Sequence, residues 1–288
     1  MKNKNIIITA DDLGIDEQIN MGIAEAYSDG LLTSTALLVN TPKTDEGINL
    51  AKGLDGLEVG LHLSIVEGIS LTGKESSVTD DIKYFDNQLC MVRHWKDFLK
   101  KYFTGKIKLH DLEEELDLQF KKFKIHVEEI PFVNGTQHLH ILPGVIDVVL
   151  KLAEKYKVKA IRLPSIEKPS VLYLNKRFPV LIPFQILGSL AKQKAKQKNI
   201  KFPGAVLGMP YSGQIDNSKF LKMLNNLPSE NNEIVMHPGY TSLQLRNNLP
   251  WAYGEFNWEL EKSTLTDPVI RDFIKINNIK RINFSSLN

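Results

Sequence analysis

The sequence predicts an α/β protein built as a distorted (β/α) barrel of mostly parallel strands, a single domain with an insertion. Three observations lead there. Short apolar runs of strand character alternate with amphipathic segments of helical period almost throughout the 288 residues. Such alternation sets parallel strands inside and helices outside. The units recur often enough to close a barrel, and no G-x-G-x-x-G or G-x-x-x-x-G-K-[ST] motif supports an open nucleotide-binding sheet.

Taken in order, Asn5 to Ala10 reads as the first strand and delivers Asp11 and Asp12 to a turn. Ile19, Ile23 and Ala26 repeat at helical spacing, in a helix that starts near Asp16 and ends near Asp29, with Gly30 as its C-cap. A strand over Ser34 to Val39, a helix over Asp45 to Gly53 and a strand over Leu57 to Leu63 follow. Ser64 to about Ile82 is a polar, glycine-containing loop. A long helix runs from about His110 to Glu129, with Leu112, Leu116 and Phe120 on one face. Strand Phe132 to Ile141, helix Gly144 to Tyr156 and strand Lys159 to Leu163 form the next unit. Prolines at 164, 169, 179, 183 and 203 make residues 164–210 an irregular insertion, one wall of a cleft within a domain spanning residues 1–288. Its AKQKAKQK run, Ala191 to Lys198, is a basic helical face that reads first as solvated. Strand Glu233 to Met236, helix Pro268 to Asn277 and strand Arg281 to Phe284 complete the chain.

A net charge of +2 gives no reason to expect nucleic acid as a partner. The single cysteine, Cys90, excludes an internal disulfide and fits a reducing compartment. The start of the chain is too short in apolar residues for a signal peptide, and no run is long enough to span a bilayer. A cytoplasmic protein is the expectation.

In such barrels the loops after strand C-termini carry reactive groups. Polar residues gather at those points: Asp11 and Asp12, His62, His138 and His140, Arg162, and His237. Adjacent acids are costly to bring together unless a cation or a proton separates their charges. One metal-binding carboxylate beside one that handles a proton would suit them, as would two solvated acids capping the next helix. A lone strand histidine is commonly a hydrogen-bonded core residue. Four histidines and two aspartates at strand ends together suit a zinc-like or other divalent cation with open coordination positions. Trp251, Tyr253, Phe256 and Trp258 form either a platform for sugar rings or an apolar plug, and Tyr211 with Ser212-Gly213 is a candidate for the opposite side of the cleft.

These residues carry a resemblance. Asp11-Asp12-Leu13-Gly14 after Ala10, Thr33-Ser34-Thr35, Gly60-Leu61-His62-Leu63, Gln137-His138-Leu139-His140, Ile161-Arg162-Leu163-Pro164 and Met236-His237-Pro238-Gly239 stand in the order found in the YdjC/ChbG-like carbohydrate deacetylases. That family is related to the NodB-type polysaccharide deacetylases and includes members linked to hopanoid biosynthesis. The resemblance implies a barrel holding one divalent metal, zinc or magnesium, that removes acetyl from an N-acetylated sugar. Asp12 and His62 would ligate the metal, Asp11 would be the general base, His237 the acid that protonates the departing amine, and Arg162 the residue that holds Asp11. Tyr211, Trp251 and Tyr253 would contact the sugar; a lipid-linked substrate and a homodimer stay open. Where the family reads T-H-x-D-[SG]-H-x-H-x-H, this chain has Phe132, Asn134 and Thr136 in place of the first His, the Asp and the second His. Thr136 stands where the resemblance expects the third metal ligand. His138 is its expected substitute; without one, the implied alternative is a catalytically impaired homologue that binds carbohydrate.

Overall fold

The computed structural model describes residues 4–80, 85, 88–165 and 178–287; of 178–181, 250, 251 and 253 it describes the backbone alone. The chain runs β1 (Asn5–Leu13), α1 (Glu17–Ser28), β2 (Ser34–Leu37), α2 (Thr44–Lys52) and β3 (Glu58–Leu63). An excursion follows: the antiparallel pair β4 (Thr79–Asp80) and β5 (Cys90–Met91), then α3 (Trp95–Phe103) and α4 (Leu109–His126). The barrel resumes with β6 (Phe132–Gly135), α5 (Val145–Lys155), β7 (Ala160–Ile161), α6 (Phe178–Gln197), β8 (Ala205–Leu207), α7 (Asn217–Asn225) and β9 (Asn231–Met236). The remaining elements are α8 (Leu243–Asn248), α9 (Pro250–Glu255), α10 (Trp258–Thr266), α11 (Pro268–Ile276) and β10 (Lys280–Arg281).

The main sheet has the order β7-β6-β3-β2-β1-β9-β8, every pairing parallel, with β10 added beside the start of β1. Its two edges meet through Lys201, which bridges Ala160. The Lys201 N–H donates to Lys159 O at 3.1 Å, Ile161 N–H to Lys201 O at 2.9 Å, and Val206 N–H to Ser165 O at 3.3 Å. This short seam closes the curled sheet into the expected distorted barrel.

Strand parity then sorts the side chains. Ile6, Ile8 and Ala10 of β1 pack outward into the main core shared with the helices. Ile7 belongs to a separate cluster with Ala36, Phe132, Ala160 and Phe284, the floor of the barrel, where the Phe132 and Phe284 rings stack 3.9 Å apart. The same parity carries Thr9 and then Asp11 up the interior. Gly60 leaves room for the floor: a Cβ there would lie 2.4 Å from the Phe132 ring.

Several expectations change. Helix α1 starts as read, with Asp16 accepting from Gln18 N–H, but its C-cap is Asp29. Gly30 is needed for space instead, since a Cβ there would sit 2.2 Å from Ala26 O. The strand expected to reach Ile141 stops at Gly135 and passes into a 3-10 turn, Thr136–Ile141, with positive φ at Gln137 (51°) and His138 (55°). Thr136 causes the bend: its hydroxyl accepts from Ile65 and Val66 N–H and donates to Val66 O, tying the chain to the loop after β3. Of the stretch 164–210, residues 166–177 with Pro169 lie outside the described residues, and the rest is less irregular than its prolines suggest. It holds the 20-residue α6, whose Pro183 falls within the first two turns and leaves the later ladder intact. No described helix is long and apolar enough to cross a membrane.

Candidate active site

The centre of the barrel is ionic. Arg162, fully buried just past β7, spans two carboxylates on neighbouring strands. Its Nε and Nη2 donate to Glu233 Oε1 at 2.8 and 2.6 Å, and its Nη1 and Nη2 donate to Asp11 Oδ2 and Oδ1 at 2.5 and 2.9 Å. Thr9 Oγ1 also donates to Glu233 Oε1, at 2.9 Å. Burying these charges is expensive, and a fork-shaped, multiply bonded guanidinium offsets that cost better than a point charge would. Burial alone would raise the Asp11 carboxyl, but the charge of Arg162, with His62 and His237, pulls it well below the usual carboxylate range. For Glu233 burial wins over Arg162, and its carboxyl moves up.

Above this layer Asn134 of β6, wholly buried, links side chains of β1 and β3. Its Nδ2 donates to Asp11 Oδ1 at 3.0 Å, and its Oδ1 lies 2.7 Å from His62 Nδ1. The other ring nitrogen, Nε2, is 3.3 Å from Asp12 Oδ1. Burial lowers the His62 ring while Asp11 and Asp12 raise it, and the acids prevail. Asp12 holds φ at 72°, a conformation that costs a non-glycine residue energy and marks functional sites. The register shift between Ala10 and Leu13 belongs to the same local distortion. Consecutive acids on one strand thereby reach neighbouring positions, Asp11 inward and Asp12 toward the open mouth.

His237 follows β9. Its backbone N–H donates to Glu261 Oε2 at 2.5 Å, and the same oxygen lies 3.6 Å from Nδ1. Burial would lower this ring, but Glu261, then Asp12 and Asp11, raise it and favour the imidazolium form. Glu261 is itself fully buried on α10 and also accepts from Ile215 N–H at 3.0 Å.

Asp11, Asp12, His62, His138 and His237 all line one cavity of about 430 Å³ at the C-terminal mouth of the strands. Asp12 and His62 suit a divalent ion as a donor pair, because ligand bonds of about 2.1 Å put neighbouring donors about 3 Å apart. A third protein ligand is not assembled: among the described residues no group of three His, Cys, Asp or Glu side chains could hold a metal. Thr136 spends its hydroxyl on backbone, and His138, expected on a strand face as the substitute for Thr136, sits instead in the turn with its ring toward His140 and Phe184. Burial and the Arg162 charge push the His138 ring well below the ordinary histidine range.

The cavity walls are largely apolar: Ile15 from the turn before α1, Ile19 of α1, Trp95 of α3, Phe184 of α6, and Phe256 and Trp258 beside His237. Tyr211 is half-buried against the core and does not line the cavity, although its neighbours Met209 and Ser212 do. Side chains of Trp251 and Tyr253 lie outside the described residues. Sequence reasoning did not single out Asn134, Glu233 or Glu261 as site residues. A charged residue directly ahead of the apolar run Ile234-Val235-Met236 was the available signal for Glu233; the other two depend on tertiary pairing.

Fold and site together define a β/α-barrel protein with an acid–histidine centre at the C-terminal mouth of its strands. The chain belongs to the YdjC-like protein family, whose model matches residues 5–275. It is 27% identical over 284 residues to a carbohydrate deacetylase of Clostridium beijerinckii, covering 98% of this chain and 99% of that one. A carbohydrate deacetylase of Thermoanaerobacter pseudethanolicus is 26% identical over 290 residues, covering 99% of both. A crystal structure assigned to cellobiose-phosphate cleavage in Enterococcus faecalis superposes with a TM-score of 0.76 at 22% identity, over 99% of this chain and 98% of the other, and supports the fold.

Proposed function

We propose that this protein hydrolyses the N-acetyl group of a carbohydrate. The observation that carries the reading is the convergence of Asp11, Asp12, His62 and His237 on one cavity, in a chain whose relatives are named carbohydrate deacetylases. Asp12 and His62 would hold a divalent cation, zinc or magnesium, whose chemistry when bound is to polarise the acetamide carbonyl and acidify water. Asp11, kept ionised by Arg162, accepts the proton of the water whose oxygen attacks the carbonyl carbon. The C–N bond then breaks as His237, in its imidazolium form, gives a proton to the leaving nitrogen. Acetate and a free amine result. Glu261 anchors the backbone of His237 and stabilises its positive charge. Phe256 and Trp258 offer apolar faces against which a sugar ring can pack.

Acetate release from N-acetylated oligosaccharides, free and lipid-linked, tests the reading and separates the two substrate forms. Asp11→Asn and His237→Asn are expected to lower kcat by two or more orders of magnitude. Elemental analysis of chelator-free protein beside Asp12→Ala is expected to show divalent metal lost in the variant. Thr136 favours a second reading, a carbohydrate-binding homologue without catalysis. Sugar binding with no acetate released and no metal bound would establish that instead.

A further inference from the structure

We propose that Asn134 is a positioning residue that fixes the ring proton of His62 on Nδ1 and so reserves a lone pair on Nε2, facing Asp12. The argument rests on the direction of each hydrogen bond along one buried chain. Asp11 takes donors from Arg162 on both of its oxygens, and an ionised carboxylate can only accept. The atom of Asn134 that lies 3.0 Å from Asp11 Oδ1 is therefore its NH₂ group, which settles the orientation of the amide. Its carbonyl must then face His62 Nδ1 at 2.7 Å, and a carbonyl can only accept. Nδ1 donates. In the neutral ring Nε2 is left bare, 3.3 Å from Asp12 Oδ1, which is also an acceptor. Two acceptors at that distance repel unless a positive group lies between them. The pair is thereby prepared for a cation, with a second ring proton as the substitute when no cation is bound.

The same chain of bonds accounts for asparagine here. A carboxylate at 134 could hold His62 equally well but would face Asp11 across about 3 Å with no donor, a like-charge contact that forces a proton onto the pair. The amide serves both neighbours without one. Ring nitrogens that face a metal are ordinarily oriented in this way by the group on the opposite nitrogen. The inference stands on bond polarity and does not need the deacetylation reading, so either can fail alone.

Long-range ¹H–¹⁵N spectra of the full chain, labelled at histidine, kept in chelator and held at a pH where the rings are neutral, read the tautomer directly. His62→Gln assigns the signal. The wild type is expected to show His62 protonated at Nδ1. Asn134→Asp, which keeps an acceptor, is expected to preserve that state; Asn134→Leu is expected to flip the proton to Nε2, where Asp12 accepts it. Calorimetric zinc titration is expected to show 10–100-fold weaker binding for Asn134→Leu than for the wild type. A wild-type ring protonated at Nε2, or an Asn134→Leu ring unchanged from the wild type, overturns the proposal. If Asn134→Leu does not fold, Asn134→Ala removes the same acceptor, and the wild-type spectrum decides by itself.

Discussion

At the residue scale, His140 shows what the barrel demands of a group it encloses. Its Nε2 donates to Arg162 O at 2.7 Å while Nδ1 is buried with no hydrogen-bond partner among the described residues. Burial, with the nearby Arg162 charge, lowers the ring to about 4 from an ordinary 6.5. Above about pH 6.5 the ring is neutral folded or unfolded and does not bias folding. Between about 6.5 and 4 the unfolded chain binds a proton that the native state refuses, so stability falls as pH falls, by about 3 kcal/mol once the folded ring also titrates. Urea unfolding at pH 7 and 4.5 is expected to show a smaller acid loss in His140→Gln than in the wild type. Legibility at this scale was uneven. Asp11, Asp12, His62 and His237 could be found because each interrupts or ends an apolar run. Asn134 and Glu261 could not, because their meaning lies in the oxygen or nitrogen they meet across the barrel.

At the element scale, the loop after β9 is stapled to α1. Tyr240 N–H donates to Gln18 O at 3.2 Å, Ser242 Oγ donates to Asp16 Oδ2 at 2.9 Å, and Gly239 sits directly on Gly22. A Cβ at residue 22 would lie 2.3 Å from Gly239 Cα, so backbone, not a flexible side chain, must yield. Gly22→Ala is expected to cost about 1–3 kcal/mol in urea unfolding and, by shifting His237, to lower kcat more than it changes KM. A second clamp holds the opposite wall. Buried Glu115 on α4 accepts from Leu71 and Thr72 N–H and from Ser70 Oγ, and Gln119 pairs with the backbone of Ser64. Helices with a clean apolar stripe, such as α4 and α5, were readable from period alone. Helix α3 buries only Phe98 completely and gave little pattern to read, while prolines concealed the first turns of α6, whose end from Ala191 was read as helical. Period two misled at His138, because the left-handed turn after Gly135 uses no glycine at its positive-φ positions.

At the scale of the whole molecule, three layers fill the barrel. The apolar floor lies under the Arg162 ion pairs, and the Asp12–His62 mouth lies above them. This order was partly legible, since β1 itself spells it in one parity: Ile7, Thr9, Asp11. What the strand could not reveal is Phe284, a floor residue that arrives from beyond β10 and is held there by Glu58, whose oxygens accept from the N–H groups of Phe284 and Ser285 at 2.7 and 2.9 Å. Phe284→Ala is expected to cost about 3–5 kcal/mol in chemical unfolding while leaving the cavity residues themselves unaltered.

That floor also governs when the protein can fold. Besides β2, strand β1 takes neighbours from β9 and β10, and Asn5 already pairs with Asn231, 226 positions later. A nascent chain emerging through α7 has β1, β2 and β3 in hand but neither the far neighbour of β1 nor the ring that fills the space beneath Ile7. Closing so long a loop before any reward makes assembly slow and leaves apolar strand surface open meanwhile. Synthesis must therefore reach Phe284 before the first strand made gains its last packing partner, and the apolar face around Ile7 stays uncovered until then.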